Sequence, residues 1–403
     1  MLLGIYVHAT HSFFVPMWSG VQDVTSSVFL IVSYFFFHYF RLHTFFLVAG
    51  FFAHMVYHRD GPIRMLKVRA VRILVPFLLG LITVVPLMYT VQIYGEARAV
   101  SRYALIPWDR IADYLIHGEL LQAITPHYLW FLYYLMMYYV IFVALRPLLT
   151  KVDHGGGIRK RADRFIAFLC RSRWAPAVMT VPTFGAMLLM TMGPMIDEPG
   201  FSFWPLPGPL LLYGLFFWVG WMLHRHPEHL ESLKNRWISH LIGGVIMFVF
   251  AAGAAMALFA YFSQQEQPSL ENVPAQIALL FQVVRFVTSY VMWSLTLSMV
   301  GIFVRFFQRQ RPFFRYIADS SYWLYVAHVP LLIYIQIQVV YWQIPWYVKI
   351  VFILVLLNYI LLLAYHFLVR STFLGALLNG RIYPLRFPWF SEMPKLIQGG
   401  KKV

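Results

Sequence analysis

The side chains best suited to chemistry in this sequence are histidines and arginines that fall inside apolar stretches. They are His8, His11, His38, Arg41, His43, His54, Arg285, His328 and His366. A neutral imidazole can take a proton from a hydroxyl near neutral pH, and a guanidinium holds an anion such as phosphate through paired donors. Ionisable groups in lipid are costly, so each is a candidate for function. The set favours deprotonation of a hydroxyl beside an anionic donor.

Acidic residues are almost absent from the same apolar stretches. Asp319 stands at the start of one of them, and the other carboxylates lie in connecting segments. Ion-coupled transporters usually carry the ion on a carboxylate inside the membrane, and lipid-linked sugar transferases usually need one as a base or metal ligand. The absence of such residues argues against both classes of protein.

Several of the histidines have packing as an alternative role. We interpret His11, His38, His54 and His366 as residues bonded to a neighbouring helix. His8 and His11 also have a spacing that two metal ligands on one helix face could use, but no third ligand is evident, so no metal site is predicted. Arg41 has no carboxylate partner in its span, and a buried unpaired charge favours an anionic ligand or a water-filled cavity.

The elements that must position these residues are membrane helices. Of the 403 residues, 60% are hydrophobic and 12% are charged, whereas a soluble domain has about 25% charged residues. A helix needs about 20 apolar residues to cross the hydrocarbon core. The windows that qualify are 1–17, 31–57, 73–95, 127–149, 175–195, 208–224, 238–262, 276–304, 318–341 and 346–369. The sequence therefore predicts an all-α, polytopic membrane helix bundle of about ten transmembrane helices.

Lysine and arginine mark one side of this bundle. They cluster after the even-numbered spans, whereas the loops after the odd-numbered spans hold only Arg98, Arg102 and Arg110. The positive-inside rule then places the even loops and both termini in the cytoplasm. The net charge of +16 is explained by these short loops, so no nucleic-acid partner is predicted and the lipid bilayer is the expected partner.

The chain has no separate soluble domain in this interpretation. We expect a membrane domain over residues 1–370 and a basic cytoplasmic tail over residues 371–403. The single Cys170 lies in a basic loop, which leaves neither an intrachain disulfide framework nor a cysteine-based metal site.

Four stretches, spread over nearly the whole chain, together resemble the acyltransferase 3 family of membrane acyltransferases. They are Leu2-Leu-Gly-Ile-Tyr-Val-His8; Phe40-Arg41-Leu-His-Thr-Phe-Phe-Leu-Val-Ala-Gly50, continuing into Lys67-Val-Arg69-Ala-Val-Arg72-Ile-Leu-Val-Pro76; His127-Tyr-Leu-Trp130-Phe131-Leu; and Ser320-Ser321-Tyr322-Trp-Leu-Tyr325-Val-Ala-His328-Val-Pro330. None is specific alone, because phenylalanine-rich helices are common. Their order and spacing carry the resemblance.

The resemblance implies a reaction and a place for it. An acyl group would pass from a cytoplasmic donor, commonly acyl-coenzyme A, to a hydroxyl of a carbohydrate at or beyond the outer face of a bacterial inner membrane. The enzyme would be an O-acyltransferase with acyl-CoA as co-substrate and no bound cofactor. The acyl group could be acetyl or succinyl. A succinyl group would need an extra cation, for which Arg285 is a candidate.

The family pattern also implies roles for individual residues. His8 would be the essential first-helix histidine and act as the catalytic base. Arg41, Arg69 and Arg72 would lie in the donor-binding region. His127 and Trp130 would shape the part of the site on the fourth helix, and His328 the part on the ninth.

One departure from the family concerns the start of the chain. The family's first helix usually carries an Asp-x-x-Arg-like element before its histidine, and here only seven residues precede His8. We therefore expect that Met1 is not the true start; the alternative is that the chain is a truncated and inactive relative. No serine or cysteine is placed convincingly as a nucleophile, which favours direct attack over an acyl-enzyme.

The alternative functions are a transporter or flippase for an acyl group or glycan, and a membrane scaffold.

Overall fold

The secondary structure is helical throughout the part of the chain that the computed structural model describes, which comprises residues 1–14, 20–117, 124–265, 273–309 and 311–385. No β-strand occurs in these ranges. Helices suit a lipid environment because each helix satisfies its own backbone hydrogen bonds where no water is present. The predicted all-α fold is confirmed.

The α-helices are numbered here in chain order. The first half of the chain forms α1 (Leu2–Thr10), α2 (Val28–Asp60), α3 (Pro62–Arg69), α4 (Val75–Val100), α5 (Trp108–Ile116), α6 (Trp130–Val152) and α7 (Gly157–Arg171). The second half forms α8 (Ala175–Met187), α9 (Pro207–Leu223), α10 (Leu230–Ser263), α11 (Ala275–Phe306), α12 (Pro312–Val339), α13 (Trp346–Ala364) and α14 (Phe373–Asn379). Two π-helical segments, Ala70–Leu74 and Tyr365–Val369, precede α4 and follow α13.

Seven helical segments within the described ranges are long and apolar enough to cross a membrane. They are Val28–Asp60, Pro62–Val100, His127–Val152, Pro227–Ser263, Ala275–Phe306, Pro312–Val339 and Trp346–Val369. The other predicted spans coincide with α1, α8 and α9, which have 9, 13 and 17 residues, and positions 15–17 of the first one lie outside the described residues. The helical membrane bundle is confirmed, while the count of ten stays a prediction.

Contacts between helix ends define one face of the bundle, which we call the basic end. Arg146 Nη1 on α6 lies 2.8 Å from His58 Nε2 on α2. Arg225, just after α9, donates to both carboxylate oxygens of Asp163 on α7 at 2.8 and 2.9 Å. The charged connections predicted after the even-numbered spans therefore meet at a common face.

The opposite face, which we call the distal end, contains a buried ion pair. Lys349 Nζ on α13 lies 2.7 Å from Asp23 Oδ1, and the two side chains are 0% and 2% exposed. Asp23 also accepts hydrogen bonds from the backbone and hydroxyl of Thr25. These contacts fix the segment that leads into α2 against α13. The sequence analysis does not identify either of these two charged residues as a group at membrane depth.

Helices α2 and α9 cross at unusually close range because each presents a glycine to the other. A Cβ added to Gly50 would overlap the carbonyl of Phe217, and one added to Gly220 would overlap the carbonyl of Leu47. Small residues let membrane helices approach in this way, since packing rather than the hydrophobic effect holds them together in lipid. The crossing holds the middle of α2, and with it Arg41, at a fixed position in the bundle.

The first part of the predicted tail packs on the basic end. Helix α14 contacts the π-helical segment before α4, and Tyr383 donates from its hydroxyl to Asp319 at 2.6 Å and from its backbone to the Arg370 carbonyl. The division at residue 370 stays a prediction. Residues 386–403 of the predicted tail lie outside the described residues.

Candidate active site

A cavity of about 390 Å³ opens among α1, α2, α6 and α12. Its lining reaches from the basic end, at Leu378, to the distal end, at Phe201. The seven residues that the sequence singled out all line it: His8, Arg41, Arg69, Arg72, His127, Trp130 and His328. Side chains from five different regions of the sequence therefore converge on a single space, and their individual roles stay predictions.

Helix α1 is short, and its neighbours fix its position. Gln336 on α12 donates to the carbonyl of Ala9 at 3.0 Å. Arg41 Nη1 on α2 donates to the carbonyl of Gly4 at 3.2 Å. Gly4 packs directly against Arg41, because an added Cβ would lie in van der Waals contact with Nη1, at 3.4 Å. The two bonds hold both turns of α1, and so they set the position of His8.

His8 lies beside a second imidazole. The ring centroids of His8 and His328 are 5.3 Å apart. His328 is fully buried, and its Nδ1 is 2.8 Å from the carbonyl oxygen of Tyr325. That contact requires a proton on Nδ1, which leaves the lone pair on Nε2. Nε2 of His328 has no hydrogen-bond partner within the described residues, so a bound hydroxyl could use it.

Arg41 supplies a buried positive charge to the same cavity. Its side chain is 8% exposed, and its Nε has no hydrogen-bond partner within the described ranges. The only hydrogen bond described for the guanidinium is the one to Gly4. A guanidinium has five N–H donors in a planar fork, so most of its donor capacity is left for a ligand. An anionic group in the cavity would satisfy it.

Glu198 is a cavity residue that sequence reasoning missed. It lies in the segment between α8 and α9 and lines the cavity together with Arg41. Burial raises the pKa of the Glu198 carboxyl, and the positive charge of Arg41 opposes that change. The spans are poor in acid, as the sequence indicates, but the cavity is not, because this connecting segment folds into it. The acidic turn Asp197-Glu198-Pro199-Gly200 is the signal that could have found it.

The segment that carries Glu198 is built rigidly. The neighbouring Asp197 accepts hydrogen bonds from the backbone N–H groups of Thr191 and Met192 and from the Thr191 hydroxyl, at 2.8 to 3.0 Å. Arg285 on α11 donates to the carbonyls of Met190 and Gly193. Arg285 is absent from the cavity lining. Its interpretation as a cation for a succinyl group is therefore wrong, and it anchors this segment instead.

The basic end of the cavity presents two arginines from the turn before α4. The guanidinium carbon of Arg69 lies 5.1 Å from the centre of the Tyr139 ring, a cation–π contact. Arg72 falls inside the π-helical segment Ala70–Leu74, a geometry that is frequent at functional sites. Its guanidinium lies against Gly380, just after α14, where an added Cβ would overlap it.

The distal end of the cavity is shaped by the start of α6. His127 has a positive φ of 42° and its Nε2 lies 2.8 Å from the Tyr89 hydroxyl. The carbonyl of His127 leaves no space for a Cβ on Gly200, since the two would be 2.6 Å apart. Trp130 is buried with its ring 5.4 Å from that of Tyr213. His127 and Trp130 thus belong to the wall, on the side opposite to Arg69 and Arg72.

The histidines interpreted as packing residues divide into two groups. His11 and His38 line the cavity together with His8. His54 and His366 are absent from its lining: His54 Nδ1 lies 2.9 Å from His224 Nδ1 at the basic end. The cavity therefore contains two more imidazoles than the sequence-based interpretation gave it, which are His11, directly after α1, and His38, in the first half of α2.

Taken together, the cavity brings imidazole nitrogens, the buried guanidinium of Arg41 and the carboxylates of Asp197 and Glu198 into a space with cationic residues at its basic end. An imidazole can serve as a general base for a hydroxyl, and a guanidinium can stabilise a developing oxyanion. These are the groups that acyl transfer needs.

Comparison with known proteins identifies this arrangement. The chain matches the model of the acyltransferase 3 family, described as an acyltransferase domain, over residues 1–365. It is similar to the glucans biosynthesis protein C of Salmonella paratyphi B, Salmonella paratyphi A and Salmonella agona. Each is 24% identical over 345 residues, which cover 83% of this chain and 80% of the relative. No solved structure matches the chain.

The family match includes every helix that lines the cavity except α14. The predicted enzyme class, an O-acyltransferase, is confirmed by this match, and the transporter and scaffold alternatives are set aside. The chain belongs to the acyltransferase 3 family of membrane acyltransferases.

Proposed function

We propose that the chain moves an acetyl or succinyl group from acyl-CoA to a hydroxyl of a cell-envelope carbohydrate, with His8 as the base. The observation that carries this proposal is that His8 and Arg41 share a cavity with arginines at its basic end and a carboxylate and aromatic rings toward its distal end. The proposed donor and acceptor would enter from opposite ends and meet beside His8.

The donor end of the proposed reaction is the basic end. Coenzyme A carries phosphates, which arginine holds through paired donors. Arg69 and Arg72 line the cavity there, so they would hold the phosphates while the thioester extends inward toward Arg41. The positive-inside rule assigns the same end to the cytoplasm, where acyl-CoA is made, and it gives both termini a cytoplasmic position in a bacterial inner membrane.

The chemical step would be a direct transfer. His8 takes the proton of the acceptor hydroxyl, the hydroxyl oxygen bonds to the thioester carbonyl carbon, and Arg41 stabilises the negative charge on the carbonyl oxygen. The carbon–sulfur bond then breaks, and the thiolate of coenzyme A takes the proton back from His8. Ser321 lines the cavity, but its hydroxyl donates to the Ile317 carbonyl at 2.7 Å, which argues against a serine acyl-enzyme.

The acceptor would occupy the distal half of the cavity. The relatives are named for the biosynthesis of glucans, and a glucan presents hydroxyls and an apolar ring face. Carboxylates accept hydrogen bonds from hydroxyls, and aromatic rings pack against sugar faces. Glu198, Phe201 and Trp130 line this half of the cavity and offer both kinds of contact.

The proposal is tested on the purified full chain in detergent. Acetyl-CoA and succinyl-CoA are each supplied with and without a β-glucan oligosaccharide, and release of free coenzyme A and mass of the oligosaccharide are measured. We expect acceptor-dependent thiol release and an oligosaccharide that gains one acyl mass. Arg69→Ala with Arg72→Ala should raise the KM for acyl-CoA, whereas Arg64→Ala, an exposed arginine of α3 outside the cavity, should not. If the Arg69→Ala, Arg72→Ala double variant and Arg64→Ala hydrolyse or transfer the donor equally well, the assignment of Arg69 and Arg72 to donor binding is contradicted.

A further inference from the structure

A cluster of histidine and carboxylate side chains lies at the basic end, outside the cavity. The 3-10 turn Pro227–His229 joins α9 to α10, and the residue before it is His226. Ligand atoms of His226, Glu228 and His229 all lie within 4.8 Å of one another. We propose that these three side chains form a binding site for a divalent transition-metal ion, with Zn²⁺ as the best fit.

The spacing of the three groups suits a single ion. His226 Nδ1 lies 3.1 Å from Glu228 Oε1. Zinc binds imidazole nitrogen and carboxylate oxygen at about 2.0 to 2.2 Å, so two neighbouring ligands of one ion stand roughly 3 to 3.5 Å apart. The His226–Glu228 pair already has this separation. The ring of His229 stacks at 5.7 Å from that of His226, and its ligand nitrogen lies within 4.8 Å of the other two ligand atoms.

A carboxylate on the far edge of His226 supports the same assignment. His226 Nε2, the nitrogen that faces away from Glu228, lies 3.6 Å from Asp163 Oδ1 on α7. Ligand histidines usually present their second ring nitrogen to a carboxylate, which fixes the ring and its tautomer. Asp163 is itself held in place by the two hydrogen bonds from Arg225. The orientation of His226 is therefore set before any ion binds.

The charges around the turn agree with a cation site. Glu228 places a carboxylate beside both imidazoles of the turn. Asp163 balances the positive charge of Arg225. Arg171 is a positive charge near His229.

The donor set selects the kind of ion. Two imidazole nitrogens and one carboxylate oxygen suit zinc and its neighbours in the first transition row, whereas Ca²⁺ and Mg²⁺ prefer oxygen ligands alone. Three protein ligands leave a position for water. None of the three ligand residues lines the cavity, and the ion would tie the α9–α10 turn to α7 through His226 and Asp163.

The test uses the full chain, purified without a histidine tag, stripped with EDTA and returned to a metal-free buffer. Titration with ZnCl₂ in a calorimeter should give one ion per chain and raise the thermal unfolding temperature. Glu228→Gln and His226→Asn change half-exposed or exposed side chains, and each should weaken zinc binding by about tenfold or more. His154→Asn, an exposed histidine at the same face, should bind zinc as the wild type does.

Two outcomes overturn the proposal. One is the absence of stoichiometric zinc binding to the wild-type chain. The other is binding that survives unchanged in both Glu228→Gln and His226→Asn, which would place the ion elsewhere. Thermal unfolding of each variant in EDTA provides the folding control, because a variant that matches the wild type there has lost only the site. MgCl₂ in the same titration should produce no comparable heat.

Discussion

His8 on α1 and His328 on α12 bring their rings to within 5.3 Å of each other at the cavity wall. The carbonyl of Tyr325 fixes the tautomer of His328 by accepting a hydrogen bond from its Nδ1. One imidazole is thus oriented by the backbone, and the other lies on a short helix that α2 and α12 hold in place. In the proposed mechanism, His8 would be the base and His328 a positioning group that orients the acceptor hydroxyl.

Replacing His328 tests this division. His328→Phe keeps a ring against Tyr128, whose centroid lies 5.5 Å away, and removes the free Nε2. A lost hydrogen bond to a reacting group is worth about 1.5 to 3 kcal/mol, so we expect kcat to fall about tenfold to hundredfold with an unchanged KM for acyl-CoA. His366→Phe, outside the cavity, is the control. An unaltered kcat in His328→Phe would remove His328 from the mechanism.

Glu198 should govern the acceptor and not the donor. Glu198→Gln keeps the shape of the side chain and removes its charge, so we expect the KM for the carbohydrate to rise about tenfold and the KM for acyl-CoA to stay constant. Steady-state kinetics with each substrate varied in turn provide the measurement. A rise in the donor KM alone would place Glu198 in the donor half.

The pH dependence of acceptor binding should report the same residue. Burial raises the pKa of Glu198, so the carboxylate takes up its proton at a higher pH than an exposed glutamate does. As the pH falls through that value, the charge is lost and the acceptor KM of the wild type should rise. Glu198→Gln carries no charge to lose, so its acceptor KM should not show this acid-side rise. Parallel profiles of the two proteins would contradict the assignment.

The glycine contact between α2 and α9 makes a prediction about stability. Gly220→Ala places a Cβ against the carbonyl of Leu47, and overpacking of this kind costs about 1 to 3 kcal/mol. Gly253→Ala on α10 adds the same methyl group where no atom lies within 4 Å. Thermal unfolding in detergent should show a lower transition for Gly220→Ala only. Equal unfolding temperatures for the two variants would mean that α2 and α9 can move apart to accommodate the added methyl group without loss of stability.

The contribution of the buried Lys349–Asp23 ion pair to stability can be measured with a double variant. Lys349→Met leaves the Asp23 carboxylate buried and unpaired, and breaking such a pair costs about 3 to 5 kcal/mol. Asp23→Asn with Lys349→Met removes both charges, so it should unfold at a higher temperature than Lys349→Met alone. If the double variant is no more stable than the single one, the ion pair is not the cause of the loss.

The sequence predicted the helical bundle and seven of the residues that line the cavity. Composition and hydrophobic windows predicted the helices because lipid imposes apolar stretches of a fixed length. Resemblance to the family brought together His8, Arg41, Arg69, Arg72, His127, Trp130 and His328, which line a common space. A count of hydrophobic windows does not distinguish a full membrane span from a shorter helix. Helix α8 is an example, because it ends at Met187.

The residues that escaped prediction belong to connecting segments or pair with them. Glu198 lies between two helices, and only tertiary packing turns it into the cavity. Asp23 precedes α2, so the charge of Lys349 within a predicted span had no visible partner. Arg285 was assigned to a ligand because its actual partners are backbone carbonyls, which no pattern of side chains discloses. In each case the missing information was a long-range contact.

The most direct test of the account is acyl transfer by His8→Ala. The purified variant receives acyl-CoA and the glucan acceptor, and transfer is followed by the mass of the product, with binding of acyl-CoA measured separately. General-base catalysis contributes about 10²- to 10⁴-fold, so we predict a loss of kcat in that range with acyl-CoA binding retained, and a smaller loss for His11→Ala. Transfer by His8→Ala at the wild-type rate would contradict the central claim that His8 is the base.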